Sequence, residues 1–350
     1  MKSFKEFIKD NFIVGLSPMD GITDEPFRLV QTKIAKPDVT FTEFASAEGL
    51  TRGGVKLYDI LLYKTEERPI IGQLFGKDPE GFYKAALVLC HLGFDGVDVN
   101  MGCPAKTVTQ NGSGAALINQ PELASKIIKS VQKAVSDWLE NKITIKDIDL
   151  NLKTLKVIER NLKYTGLKSD REKIIPTISV KTRLGVDKPT VESWFPHLLS
   201  HDLDFITLHG RTLKQGYSGI ADWDNIALAV KLAKNTKTLI WGNGDIQSKS
   251  QAIEMAQKYG VNGVLIGRAA MGNPWVFTNY TALPQERFSA MLLHTQTYSD
   301  VFPKRCFDSL RKHFLLYTSG LTNAKHLRAD LIRLKSVDEL LSLECEFLNC

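Results

Sequence analysis

Eight short runs, at 13–19, 39–44, 69–75, 96–102, 177–185, 205–211, 238–244 and 263–268, are apolar at nearly every position. Longer stretches with helical periodicity separate most of them. A half-exposed strand alternates apolar with polar residues. Runs such as GVDVN, TISVK, FITLHG and GVLIGR do not alternate, and this marks parallel strands covered by helices on both faces. Helices are expected at 79–92, 121–139 and 248–259. Strand followed by helix, repeated eight times, predicts a closed (β/α)8 TIM barrel rather than an open doubly wound sheet. The barrel is expected to occupy residues 1–283.

Two stretches depart from this rhythm. The connection at 138–176 is longer than one crossover helix needs, so an insertion is expected there, partly helical and peripheral to the chemistry. After residue 284 the strand pattern stops. Segments 287–299, 307–319, 323–334 and 337–346 read as amphipathic helices, with Gly320 as a helix stop. Residues 284–350 are therefore expected to form a small all-helical domain.

Charge is not spread evenly along the chain. Between Lys304 and Lys335 eight basic residues face two acidic ones, a surplus equal to the +6 of the whole chain. A basic patch confined to one segment suggests a polyanionic partner; the alternative is a solvated helical face. With 43% hydrophobic and 24% charged residues over 350 positions, the chain matches an ordinary globular protein. No stretch approaches the roughly 20 apolar residues of a bilayer span. The N-terminal MKSFKEFIKD lacks the apolar segment of a signal peptide. A cytoplasmic protein that does not engage a membrane is expected, and a monomer, since the chain carries its own second domain. Five cysteines, at 90, 103, 306, 345 and 350, are too few and scattered for a disulfide scaffold. None has zinc-ligand spacing, so no metal is expected.

The active site of such a barrel lies at the C-terminal ends of its strands. Polar residues collect there: Ser17-Pro18-Met19-Asp20 after the first strand, Thr42-Glu43 after the second and Gln73 in the third. Asn100 to Pro104 follow the fourth, Lys181 to Arg183 end the fifth and His209 to Thr212 the sixth. Asn243-Gly244-Asp245 close the seventh strand and Gly267-Arg268 the eighth. Glycine-rich turns after strands seven and eight form a phosphate cradle in barrels of this type, and Arg268 would add a charge-assisted bond. The same glycines also suit plain tight turns. Lys181, inside an apolar strand, needs an anionic partner or must leave its charge, and a bound anionic cofactor would supply one. Cys103 lies where the chain leaves a strand for a Gly/Pro turn. Its thiol suits either a proton donor or, with a lowered pKa, a nucleophile. His209 reads equally as a core histidine or a functional one.

The stretch Asp98-Val99-Asn100-Met101-Gly102-Cys103-Pro104, with Val108 and Gly114-Ala115 after it, resembles the signature of the tRNA-dihydrouridine synthases. SPMDGITDEPFR, TEFASAEGL, QLFGKDPE, VKTRLG, HGRT, WGNGDI and GVLIGRAAMGNPW follow in family order, and LRKHFLLYTSGLTNAKHLRADL is similar to the family's tRNA-holding helical domain. Only 138–176 has no recognised counterpart.

The resemblance implies an FMN-dependent barrel that reduces uridine in tRNA to 5,6-dihydrouridine with NADPH. Pro18 and Met19 would line the flavin and Gln73 would bond its ring edge. Lys181 and His209 would contact flavin and uracil. Asn243, Gly244, Asp245, Gly267 and Arg268 would hold the phosphate end. Asn100 and Arg183 would face the uracil, Cys103 would donate the proton, and Lys325 and Arg328 would hold tRNA. The alternatives are a flavin-dependent barrel reductase of a small molecule such as a free pyrimidine, which needs no basic tail, and an RNA-binding protein without catalysis.

Overall fold

Residues 3–167, 173–321 and 324–348 are described by a computed structural model. The expected start of a tail helix at residue 323, and 168–172 of the long connection, lie outside the described residues. Among the described residues eight strands form one sheet: β1 (Ile13–Leu16), β2 (Thr40–Ser46), β3 (Ile70–Phe75), β4 (Gly96–Met101), β5 (Thr177–Arg183), β6 (Phe205–His209), β7 (Leu239–Asn243) and β8 (Gly263–Ile266). Neighbours pair in parallel in the order β1-β8-β7-β6-β5-β4-β3-β2. The ends of that order meet. Leu16 N–H donates to the Val39 carbonyl at 2.9 Å, and Asp38 N–H to the Val14 carbonyl at 3.1 Å. The sheet is the expected TIM-type barrel, with β4, β6 and β8 buried along their whole length.

The helices between strands are set by local chemistry. Helix Pro79–Leu92 starts at the Asp78 cap with Pro at its first position, and stops at Gly93, whose φ of 82° is left-handed and strains any residue with a Cβ. Helix Pro121–Leu139 buries Ala124, Ile127, Ile128, Val131 and Ala134 on one stripe, the i, i+3, i+4 spacing of a helix face laid on a sheet. Both match the expected bounds.

The barrel interior changes character along its axis. At its N-terminal end Phe205 and Trp241 stack with ring centroids 3.8 Å apart, in a cluster with Phe41, Ile71 and Leu265. Phe4 and Ile8 of helix Phe4–Asp10 belong to the same cluster. The charged N-terminal segment thus hides two apolar residues, four apart, that seal the barrel floor. Two residues further along the strands the interior turns polar, with Gln73, Asp98, Ser179, Thr207 and Asn243 all buried. Period-two alternation delivers this switch on β3, β4, β5, β6 and β7.

The long connection is not a detachable decoration. Helix Leu152–Thr165 buries Ile158 and Leu162 in the main core, and Ile145, Ile148 and Leu150 ahead of it are buried too. Asn161 Nδ2 donates to the Tyr58 carbonyl at 2.7 Å, and the Tyr164 hydroxyl to Glu25 at 2.8 Å. The charge of this segment hid a narrow apolar stripe.

The tail forms a second hydrophobic cluster, which includes Met291, Tyr298, Phe314, Leu327, Leu331 and Phe347 and reaches the barrel through Leu62. Its helices are Pro284–Val301, Arg311–Tyr317, Lys325–Leu331, Val337–Ser342 and Glu344–Leu348. The run expected at 307–319 divides into a 3-10 turn, Phe307–Ser309, and a shorter α-helix. Gly320 has the left-handed φ, 82°, expected of a stop. No described helix is long and apolar enough to cross a membrane.

Candidate active site

A cavity of about 460 Å³ opens at the C-terminal ends of the strands. The thirteen barrel residues given a role by the resemblance all line it; of the wider polar rim, Thr42, Glu43, Arg211 and Thr212 do not. Pro18 and Met19 come from the loop after β1, and Gln73 and Asn100 from β3 and β4. Cys103 follows β4; Lys181 and Arg183 come from β5 and His209 from β6. Asn243, Gly244 and Asp245 come from the end of β7, and Gly267 and Arg268 from the end of β8. Lys325 and Arg328 do not line it. Lys325 is exposed on the tail. The Arg328 guanidinium donates to the Thr318 hydroxyl at 2.9 Å and carbonyl at 3.0 Å, tying down the end of helix Arg311–Tyr317.

Cys103 lies on a short loop gripped from two sides. Asn100 Oδ1 accepts from the Gly102 and Cys103 backbone N–H groups at 3.0 and 2.8 Å. Arg183 Nε donates to the Gly102 carbonyl at 2.7 Å, while its Nη1 donates to the carbonyls of Thr212 and Gly216, both at 3.0 Å. Asn100 and Arg183 therefore anchor the loop as well as facing the cavity. Burial pushes the Cys103 thiol above its ordinary range. The Ala105 N–H, Arg183 and Lys181 oppose that rise, and the Asp20 carboxylate adds to it. The thiol is protonated at neutral pH. That favours the proton donor over the nucleophile, since a nucleophile needs the thiolate.

Lys181 is half-buried, and desolvation brings its ammonium down to about 8; Arg183 adds to the fall, and Asp98 and Cys103 oppose it. Its Nζ donates to Asn243 Oδ1 at 3.1 Å, and Asn243 Nδ2 donates to the Leu265 carbonyl at 2.9 Å. Asn243 thus presents its oxygen to the lysine, but as a neutral partner. His209 is held neutral by burial first and then by the nearby charges of Lys181, Arg183, Arg211 and Arg268. Arg211 Nη1 donates to its Nε2 at 3.4 Å.

The rim at β7 and β8 has its own geometry. Gly244 has φ +134°, and a Cβ there would stand 2.6 Å from the Ala221 Cβ, so only glycine fits. A Cβ on Gly267 would stand 3.6 Å from both Met19 Sδ and Ser17 Cβ, in the space an entering group would use. Asp245 does not face an anion. Its carboxylate bridges Arg211 at 2.6 Å and Arg268 at 2.8 Å and accepts from the Ala221 N–H at 2.8 Å. It aims Arg268, which is half exposed, over the rim.

These features fit a flavin mononucleotide. A half-buried lysine lacks a carboxylate bridge among the described residues, a glycine-lined rim carries an arginine, and cations outnumber carboxylates around the opening. No described group of His, Cys, Asp and Glu has metal-site geometry. Two features of the cavity escaped the sequence. Asp98, under its floor, is as anomalous in an apolar strand as Lys181, so the same test would have found it. Tyr217 and Phe44 also line the cavity. Tyr217 belongs to the 210–222 loop, whose sequence shows no period, and no pattern pointed to it.

The family model "Dihydrouridine synthase" matches residues 15–169 and 160–347, in two pieces that meet within the long connection. A Staphylococcus aureus (strain COL) protein named "Probable tRNA-dihydrouridine synthase" is 32% identical over 346 residues, covering 95% of this chain and 92% of that protein. "Probable tRNA-dihydrouridine synthase 2" of Bacillus subtilis (strain 168) is 30% identical over 344 residues, covering 95% and 93%. The solved structure of morphinone reductase overlaps 75% of this chain and 84% of its own, with a TM-score of 0.45 at 11% identity.

Proposed function

The chain belongs to the dihydrouridine synthase family, and on that premise we propose that it reduces the C5–C6 double bond of uridine in tRNA, with FMN as cofactor and NADPH as reductant. One observation carries the reading: a protonated, buried Cys103 and a half-buried Lys181 without a carboxylate bridge share one cationic cavity.

The residues divide the work. Pro18 and Met19 would flank the flavin ring, with Gln73 at its edge; one Nε2 hydrogen and one Oε1 lone pair of Gln73 remain beyond its present bonds. Lys181 would neutralise the ring's negative charge. Gly244, Gly267 and Arg268, the last aimed by Asp245, would hold the phosphate. Held there, reduced FMN would supply a hydride for C6 of uracil. Charge develops towards O4, where the neutral His209 ring and the free Nη2 of Arg183 are suited to stabilise it. Cys103 gives its Sγ proton to C5, completing the addition of two hydrogens, and is reprotonated from solvent. A thiol with a raised pKa keeps its proton until C5 becomes basic, as a general acid must.

The target base must leave its stack to enter the cavity, so the rest of the RNA needs to be held elsewhere. We assign that to residues 284–350. Five of its nine basic residues are engaged within the protein: Arg287 with the Ser319 carbonyl, Arg305 with Asp59, Arg311 with Asp308, Lys312 with the Gly21 carbonyl and Arg328 with Thr318. Lys304, Lys325, Arg333 and Lys335 are exposed and suit phosphate contacts.

The test is the absorbance of the purified protein between about 300 and 550 nm. Flavin bands that bleach with NADPH and return with tRNA lacking dihydrouridine support the reading. Return with free uridine but not tRNA replaces it with small-molecule reduction. A colourless protein that FMN cannot reconstitute refutes both. In the active enzyme, Cys103→Ala should keep its flavin and lose at least about a hundredfold in turnover, the range of general acid catalysis.

A further inference from the structure

A line of polar side chains runs from beneath the cavity, where Ser179 and Asp98 do not line it, through Gln73 and Asn100, which do. Ser179 Oγ donates to Asp98 Oδ1 at 2.6 Å. Gln73 Nε2 donates to Asp98 Oδ2 at 2.7 Å. Asn100 Nδ2 donates to Gln73 Oε1 at 2.9 Å, and Asn100 Oδ1 takes the two backbone N–H groups of Gly102 and Cys103. Asp98, Gln73 and Ser179 are wholly buried, so water does not substitute for any link.

The order of donors and acceptors along this line is set from its two ends, by the Asp98 carboxylate and by the two N–H groups of the loop. A side-chain amide offers an oxygen and an NH2 of nearly the same shape, so an amide pair by itself fits either way round. An ionised carboxylate only accepts. Asp98 therefore turns the NH2 of Gln73 towards itself, which turns the Gln73 oxygen towards Asn100. That draws the NH2 of Asn100 to Gln73 and leaves the Asn100 oxygen facing the loop. Reversed, Asn100 would point an NH2 at two N–H donors, and the loop would lose both bonds.

We propose that Asp98 is a positioning residue for Cys103: its carboxylate sets the direction of the Gln73 and Asn100 amides, and so holds the Gly102–Cys103 backbone that carries the thiol. Asp98 touches neither the thiol nor the base. Its catalytic consequence rests on Cys103 being the proton donor; its structural consequence does not.

The experiment reads both, using the full-length protein. Iodoacetamide alkylation is followed on the peptide that contains Cys103, since Cys306 and Cys345 are exposed and react on their own. Asp98→Asn removes the directing charge and keeps the shape. Cys103 alkylation should then rise about tenfold, the factor that loss of one well-made hydrogen bond allows. Dihydrouridine formation should fall in kcat, with KM for tRNA unchanged. The double variant Asp98→Asn with Gln73→Glu moves the carboxylate one link along. The carboxylate now at position 73 would accept from the new amide at position 98 and from Asn100, restoring the direction at the loop and the slow alkylation; a role in packing alone predicts no such rescue. Gln73→Met, which cuts the line but leaves Asp98 with Ser179, gives the same rise as Asp98→Asn by an independent route if the latter does not fold. Unchanged alkylation in Asp98→Asn and in Gln73→Met overturns the proposal, as does failure of the double variant to restore protection. Wild-type protein that makes no dihydrouridine while the alkylation pattern holds would instead overturn the assignment of the reaction.

Discussion

Replacing Lys181 with methionine should stabilise the protein without cofactor and weaken its hold on FMN. Methionine fills nearly the same space and has no charge to desolvate. In the cofactor-free protein burial lowers Lys181 from 10.5 to about 8. At about 1.4 kcal/mol per pKa unit, keeping this ammonium charged costs about 3 kcal/mol relative to the unfolded chain. An anion in the cavity would recover part of that, so FMN affinity in Lys181→Met should fall by up to about a hundredfold at neutral pH. The sign with pH follows from proton counts. Between about 8 and 10.5 the unfolded chain keeps the lysine proton and the folded chain has lost it, so stability rises with pH through this window. The wild-type protein stripped of flavin should gain up to about 3 kcal/mol there relative to Lys181→Met. Urea unfolding of both proteins at pH 7.5, 9 and 10.5 measures the difference, and the comparison removes every other titrating group. Parallel stability curves for the two proteins would refute the account of Lys181 as a charge held for an anionic ligand.

Three further outcomes are expected. Lys325→Glu with Arg333→Glu should weaken tRNA binding and make its salt dependence shallower by about one in slope per cation removed, with flavin content unchanged; an unaltered slope would mean these residues do not meet phosphates. Burial holds His294 at about 3 and His313 well below its ordinary range, so both are neutral when folded and take up protons only on unfolding as pH falls below about 6.5. Their share of stability is full above that pH and is lost on acidification. His294→Leu should therefore flatten the decline between pH 6.5 and 4 in denaturant titrations, and an unchanged slope would contradict its burial as a neutral ring. Ile158→Ala, in the long connection and 1% exposed, should cost about 2–4 kcal/mol, and an unshifted urea midpoint would return that segment to the status of a surface appendage.

Much of the barrel was legible because its determinants are local. Apolar runs without alternation, the Asp78 and Ser248 caps, and stops such as Gly93 and Gly260 act over a few residues, and the strand and helix bounds followed them closely. The rim residues were legible for a related reason. Once the fold is a parallel barrel, the C-terminal end of every strand points to the same place, so Gln73, Cys103, Lys181 and Gly267 meet although nearly two hundred residues separate the first from the last. The burial of the long connection and of helix Phe4–Asp10 was not legible because charge dominates their composition, whereas burial depends on a stripe of two or three residues whose partner surface is remote.

The sequence by itself determined the order of elements, most of the polar residues of the cavity and the family, because period, capping and motif are properties of neighbours along the chain. Tertiary structure alone decided what those residues are engaged in. Asp245 could not be read as the holder of Arg268, Arg328 as a helix anchor, or Asn100 and Arg183 as the clamps of the Cys103 loop. Nor could the strand sequences reveal that Asp98, Gln73 and Asn100 form one directed line. A hydrogen bond depends on ångström separations between atoms of different strands, and the donor or acceptor face of an amide is settled by the group it meets. Those meetings exist only when the sheet has closed and brought β3, β4 and β5 into register.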